Sequence, residues 1–155
     1  MAIPRFNATM RNLEYRLRKF KDDLPGLLPR IIKELEPEIV STIADEQLYA
    51  EGINGGGVEI ASYRPYAEST IRRKIRKGQP TDRVTLRDTG AFHKEMHVVF
   101  DEEGFYITSE NFKTPFLVSR YGPKIFRLTD ENFTRIVRER VRKELVKRLK
   151  ESIKG

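Results

Sequence analysis

The sequence predicts an α+β domain in which an antiparallel β-sheet of about four strands packs against N-terminal helices and a long C-terminal helix. Three observations carry this expectation. Apolar residues recur at helical spacing through residues 9–50, short apolar segments separated by turn formers fill residues 92–128, and a capped apolar stripe of helical period runs over residues 129–153. With 155 residues, 38% of them hydrophobic and 34% charged, the chain fits one domain. That domain divides into an N-terminal helical arm (1–51), a sheet region (58–128) with a helix (65–77) and a loop (78–89), and a C-terminal helix (129–154).

Met10, Leu13, Leu17 and Phe20 mark an amphipathic first helix with basic residues between them. Pro25 and Gly26 are expected to break it, and Pro29, suited to a first helical turn, to open a second helical run to residue 50. Within that run Ile32, Leu35, Ile39, Ile43 and Leu48 can share a face, while Pro37 lacks a backbone donor and should kink or split the helix. The glycines of residues 52–57 (GINGGG) then end it and are expected to form a flexible turn with positive φ.

Residues 58–63 (VEIASY) alternate weakly, as a strand does. Pro65 begins a short helix to about Lys77, with Tyr66, Ile71 and Ile75 on its apolar side and Arg72, Arg73, Lys74, Arg76 and Lys77 on its basic side. Residues 78–90 (GQPTDRVTLRDTG) are rich in turn formers and read as an exposed loop. Strand-like segments follow at 92–100, 105–109, 115–121 and 125–128, with separators short enough for antiparallel hairpins.

Thr129 suits an N-cap, Asp130 and Glu131 sit where the helix dipole favours acids, and bases accumulate toward the end of the last helix. Its apolar positions from Phe133 to Ile153 advance mainly in steps of four, which overshoot the helical turn, so the stripe rotates by about 200°. One flat sheet cannot cover all of it. Either the last turns fray, or Leu145, Leu149 and Ile153 pack on another subunit.

There is no cysteine, which excludes thiol nucleophiles, Cys-ligated zinc, iron-sulfur clusters and disulfides. Residues 1–12 lack the apolar core of a secretion signal, and no apolar run reaches the ~20 residues of a membrane span, so a cytosolic protein is expected when it is made. The net charge of +7 is segregated into blocks of +5 (1–33), −7 (34–63), +5 (64–90), −2 (91–134) and +6 (135–155). A basic surface attracts nucleic acid or acidic membranes, but alternating blocks suit equally a protein that docks like copies or unlike partners through opposite patches.

Few residues invite chemistry. His93 and His97 (HKEMH) share the spacing of a metalloprotease motif but place the acid two residues after the first histidine. On a strand His93, Glu95 and His97 would share a face as a conceivable cation site; an exposed sheet face is the plainer reading. GINGGG lacks the Lys and hydroxyl of a phosphate loop. Glu34, Glu36 and Glu38, and likewise the acids of residues 101–103, have no apolar setting that would raise a carboxyl pKa. No enzyme, cofactor or metal is expected.

Three segments in order carry a resemblance: residues 66–74 (YAESTIRRK), 84–92 (VTLRDTGAF) and 121–128 (YGPKIFRL), followed by the long closing helix. Together they resemble the tail-completion, head-tail joining (neck) and virion-morphogenesis proteins of tailed bacteriophages, over about residues 47–153. In that group a T-x-x-x-K helix leads to an L-x-x-T-G-x-L-type turn; here these are Thr70 and Lys74, then Leu86, Thr89, Gly90 and Phe92. A late aromatic-glycine pair and an aromatic-aliphatic pair follow, here Tyr121, Gly122, Ile125, Phe126 and Leu128. Phe92 departs from the usual aliphatic residue, and the loop before Leu86 is long.

The resemblance implies a non-catalytic α+β subunit of a homo-oligomeric ring around the DNA passage, located in the virion at the head-tail junction or tail. Its partners would be portal, adaptor or other neck proteins and the tail tube or terminator protein, with packaged DNA passing nearby. Interface candidates are Arg72, Arg73 and Arg76 on the basic helix, Arg83, Arg87, Thr89 and Gly90 in the loop, and Leu145, Leu149 and Ile153 on the last helix. A heterologous ring contact needs two different patches per subunit, which the charge blocks would supply. The rival expectations are a basic nucleic-acid-binding protein acting as a free monomer or dimer, and a hydrolase or metal protein built on His93, Glu95 and His97.

Overall fold

The computed structural model describes residues 3–154, with side chains from residue 8 onward. Helix α1 (Ile3–Ser41) runs without a break into a wider, π-type stretch, Thr42–Glu51. The expected interruptions at Pro25, Gly26 and Pro37 do not occur: Pro25, Pro29 and Pro37 all lie inside the helix, and all three are exposed. Exposure is what makes them tolerable, because a carbonyl that loses its donor at the surface bonds to water instead. A proline in a helix interior costs on the order of 3 kcal/mol, whereas a fully buried Ile or Leu contributes on the order of 2. The buried set Ile31, Ile32, Leu35, Ile39 and Ile43 therefore outweighs the prolines and keeps the helix whole.

The glycine segment is a fixed junction rather than a flexible turn. Gly52 takes φ +67° and ends the helical stretch; the Gly55 N–H donates to the Lys124 carbonyl at 2.9 Å. A Cβ at Gly55 would stand 2.4 Å from the Arg127 carbonyl oxygen, so only glycine allows this approach. Asn54, fully buried, accepts from the N–H groups of Gly56 and Val58 through Oδ1. Residues 58–63 do not form a strand: Glu59 makes an isolated bridge to Ile53, and Ile60–Ser62 is a 3₁₀ turn.

Helix α2 (Glu68–Arg76) follows, then an irregular segment, then a single helical turn, α3 (Ala91–Lys94). Strands β1 (Met96–Phe100) and β2 (Phe105–Ser109) pair antiparallel, with Met96 opposite Ser109 and Phe100 opposite Phe105. Helix α4 (Thr114–Tyr121) and a 3₁₀ turn (Pro123–Phe126) lead to the C-terminal helix. That helix is continuous through α5 (Asp130–Asn132), a π-type stretch (Phe133–Arg138) and α6 (Glu139–Lys154). The expected cap is present, since Thr129 Oγ1 accepts from the Asn132 N–H at 3.3 Å.

The fold is therefore mixed helix and antiparallel sheet with long N- and C-terminal helices, but among the described residues the sheet has two strands instead of about four. Each lost strand has a local cause. Gly90 at φ +87° starts a helical turn where residues 92–95 were expected to be extended. Pro115 sits in the first turn of α4 and Gly122 just beyond its last, which are helix start and stop signals. Pro123 likewise opens a 3₁₀ turn at residues expected to be extended. The core lies between the second half of α1, the hairpin, the 123–128 segment and the first turns of the C-terminal helix, with Ile39, Ile43, Leu48, Ile60, Ile125 and Ile136 fully buried.

Gln47 ties these parts together. Fully buried, it donates from Nε2 to the Arg127 carbonyl, while its Oε1 accepts from the Thr129 N–H and Asn132 Nδ2, each at 3.0 Å. The C-terminal helix is thus held at its N-terminus by one side chain of the π-type stretch.

Candidate functional site

The segments that carry the phage resemblance close on one cavity of about 450 Å³. Thr70 and Lys74 of α2, Leu86, Thr89, Gly90 and Phe92 of the next segment, and Tyr121 of α4 all line it. Phe92 also stacks at a tilt on Phe126, with ring centroids 5.6 Å apart.

The bonds that hold this arrangement are specific. Tyr66, just before α2, accepts from the Thr85 N–H at 2.9 Å through its phenol oxygen. Lys74 is buried with no carboxylate partner among the described residues. Its ammonium donates to the Arg87 carbonyl at 2.7 Å and to Gln79 Oε1 at 3.2 Å, and lies 4.9 Å from the centre of the Tyr66 ring. Gln79 Nε2 donates to the Asp88 carbonyl, and Asp88 pairs with Lys77 at 2.6 Å and Lys113 at 3.8 Å. The Lys77 bond, reinforced by the charges of Lys77, Lys113 and Arg73, overcomes partial burial and holds the Asp88 carboxyl below the usual range. The segment 78–89 is therefore pinned to α2, with Val84 and Thr85 buried, and is not the free exposed loop expected from its composition.

The candidate interface residues separate into distinct roles. Arg73 lines the cavity, whereas Arg72 pairs loosely with Glu68 at 3.9 Å and Arg76 stands exposed. Arg83 and Arg87 turn inward to the π-type stretch. Arg83 Nε donates to the Tyr49 carbonyl at 2.7 Å, and the Arg87 guanidinium lies 4.7 Å from the centre of the Tyr49 ring. Thr89 Oγ1 accepts from the Ala91 N–H at 3.3 Å, and Gly90 supplies the positive φ that starts α3. Leu145 packs against the core and Leu149 is half-buried, while Ile153 and Val146 remain exposed. Helix α1 covers part of the stripe that a flat sheet could not, since Arg16 reaches the Ile153 carbonyl at 2.8 Å and Glu34 faces Arg148.

The acidic block is also used within the chain. Glu34, Glu38 and Glu46 pair with Arg148, Arg140 and Arg135 at 3.7, 3.5 and 3.5 Å. These acids face the chain's own last helix.

His93, Glu95 and His97 are not brought together. His93 is buried on α3, His97 Nδ1 lies 3.0 Å from the Glu95 carbonyl, and the Glu95 carboxylate accepts from Asn111 Nδ2. Among the described residues no group of three His, Asp or Glu side chains is placed to hold a metal ion. Nor is any helix among them long and apolar enough to cross a membrane.

Sequence reasoning missed the residues at the outer rim of the cavity. Phe112 is 84% exposed and Phe116 61%, and both line the opening together with Lys113 and Arg120. The available signal was helical: Phe112, Phe116 and Arg120 are four apart, with Pro115 in the first turn and Gly122 after the last. Compared with protein-family models, curated proteins and solved structures, the chain matches none.

Proposed function

We propose that this chain is a structural virion protein of a tailed bacteriophage, one subunit of a ring at the head-tail junction or at the completing end of the tail. The observation that supports this most is the convergence of the three ordered motif segments on one pinned unit, from Thr70 and Lys74 through Thr89, Gly90 and Phe92 to Tyr121. In this reading the motif residues are architectural. They hold α2, the 78–89 segment and α4 in a fixed relation, so that Phe112, Phe116 and the cations around them are presented on a rigid edge. The role is assembly, with portal, adaptor or tail proteins as neighbours, and no reaction is assigned.

The test is the protein composition of purified particles together with the effect of deleting the gene. The chain should be found in virions at far lower copy number than the shell protein, and its deletion should leave filled heads and tails unjoined or tails unfinished. Absence from particles, with normal tailed particles in the deletion, overturns the reading.

A second reading has one observation of its own. The same rim combines exposed aromatic rings with Arg73, Lys113 and Arg120, a composition that can stack bases and contact phosphates. A sequence-preferring DNA affinity that falls steeply with salt, in a protein absent from virions, favours it.

A further inference from the structure

We propose that the chain binds a second copy of itself head to tail: the rim bearing Phe112 and Phe116 seats in the apolar groove beside the hairpin turn of the next copy, where Glu102 and Glu103 meet Lys113 and Arg120. This names the partner of the cavity rim and rests on the assembly reading above.

One half of the contact is the rim. Phe112 is the most exposed of the large hydrophobic residues described, and Phe116, four residues on, stands beside it at the same cavity rim, so the two form a local apolar patch rather than a scattered surface residue. Each carries a cation beside its ring. Lys113 Nζ is 5.8 Å from the Phe112 centroid and also faces Asp88 at 3.8 Å; the Arg120 guanidinium is 5.9 Å from the Phe116 centroid and has no ion-pair partner among the described residues.

The other half is a groove of about 780 Å³ between α1, the hairpin turn and the C-terminal helix, floored by apolar residues such as Leu28, Ile32, Val141 and Leu145. It has room for two phenyl side chains. Residues 101–104 form one edge of the groove, and their conformation is set in advance. Asp101 N–H donates to the Gly104 carbonyl at 3.0 Å, and Asp101 Oδ1 accepts from the N–H groups of Glu103 and Gly104, each at 2.9 Å. Asp101 is thereby occupied, while Glu102 and Glu103 are exposed and have no ion-pair partner among the described residues. Arg138 and Arg142 also line the groove, so the hairpin edge is the acidic one.

Two exposed rings flanked by cations and an apolar groove edged by acids are thus present on the same chain. The two cavities share no lining residue. They lie toward opposite ends of the hairpin, whose five-residue strands span about 14 Å. A contact between two different patches is heterologous, and repeated with a closing rotation it makes a ring. DNA is the poorer occupant: it would use the rim but leave the apolar groove and its two carboxylates without a role.

The experiment is sedimentation velocity on the purified full chain over a wide concentration series, with thermal unfolding of each variant alongside. Wild type should associate. Phe112→Ala with Phe116→Ala should weaken the association constant by about 30-fold or more, as loss of central aromatic anchors does. Lys113→Glu with Arg120→Glu, and separately Glu102→Lys with Glu103→Lys, should each weaken it by about tenfold or more. An equimolar mixture of these two charge-reversed chains should recover assembly, because alternating subunits then pair opposite charges at every contact. Recovery also shows that both variants fold.

A wild type that stays monomeric, association indifferent to these residues, or a mixture that does not recover overturns the contact. So does a Phe112 and Phe116 variant that loses affinity for a DNA oligonucleotide while assembling normally. Particle composition is scored separately. Virions that contain a chain whose association ignores Phe112 overturn this contact and leave the neck reading standing; association as described in a protein absent from virions does the reverse.

Discussion

His93 is the buried group whose chemistry is most easily measured. Both of its ring nitrogens are buried, neither has a partner at good hydrogen-bond geometry among the described residues, and the ring lies against Phe92 with centroids 5.8 Å apart. Burial, aided by the positive Arg87, lowers its pKa from the usual 6.5 to about 4. The unfolded chain therefore takes up a proton near pH 6.5 that the folded chain refuses until about pH 4. His93 is neutral in both states above that window and lowers stability as pH falls through it, by up to about 3 kcal/mol. Whatever the offset at pH 7.5, the stability of His93→Leu relative to wild type should rise by about 2 kcal/mol between pH 7.5 and pH 4.5, read from urea midpoints at the two pH values. Glu36 acts in the same acid range: burial opposes its ionisation most, but Lys33 and the Val98 N–H prevail and hold its carboxyl below the usual value. Its contribution is likewise lost on acidification, so the comparison is made against wild type at each pH.

At the scale of the element, α1 shows how little a local break signal weighs against a continuous buried face. Its apolar positions were legible in the sequence, because Ile32, Leu35, Ile39, Ile43 and Leu48 repeat at helical spacing and all are buried. Its continuity was not, because whether a proline ends a helix depends on the packing of the residues on either side. If burial holds the helix together against its prolines, replacing one removes a penalty and disturbs no core contact. Pro29→Ala should raise stability by about 1–2 kcal/mol in urea unfolding, part of the gain being offset by a more flexible unfolded chain. Helix α4 fails in the opposite sense: the short segment 115–121 (PFLVSRY) reads equally as strand or helix, and only its flanks decide.

For the whole molecule, the division of charge has a mostly internal meaning. Three acids of the −7 block, Glu34 and Glu38 near the end of α1 and Glu46 in the π-type stretch, face the basic C-terminal helix through pairs that are partly exposed. Such pairs contribute about 0–1 kcal/mol each, so they set the register of two helices more than their strength. Replacing Glu34, Glu38 and Glu46 together with Gln should cost about 1–3 kcal/mol at low salt, and most of that loss should vanish in concentrated salt, as followed by the thermal midpoint. Among the described residues Arg73, Lys74 and Arg120, which line the cavity formed by the motif segments, have no ion-pair partner, whereas Lys113 there faces Asp88. The candidate site is half legible in the sequence: Arg73, Thr89 and Gly90 of its lining fall in or between the motif segments, whereas Phe112 and Phe116 read as parts of a turn and a strand. Whether an aromatic residue is buried or presented to solvent depends on which face its element turns outward.

The amino-acid order alone dictated where apolar faces begin and repeat, the Thr129 cap, the turn at residues 101–104 between two antiparallel strands and the absence of thiol chemistry, because periodicity, capping and composition are local properties. Folding in three dimensions decided that α1 stays whole, that Gln47 and Gly55 lock the C-terminal helix to it, and that the acidic block meets its own chain's bases. Those outcomes depend on groups about 80 to 110 residues apart in sequence, and such pairings form only once the core brings them together.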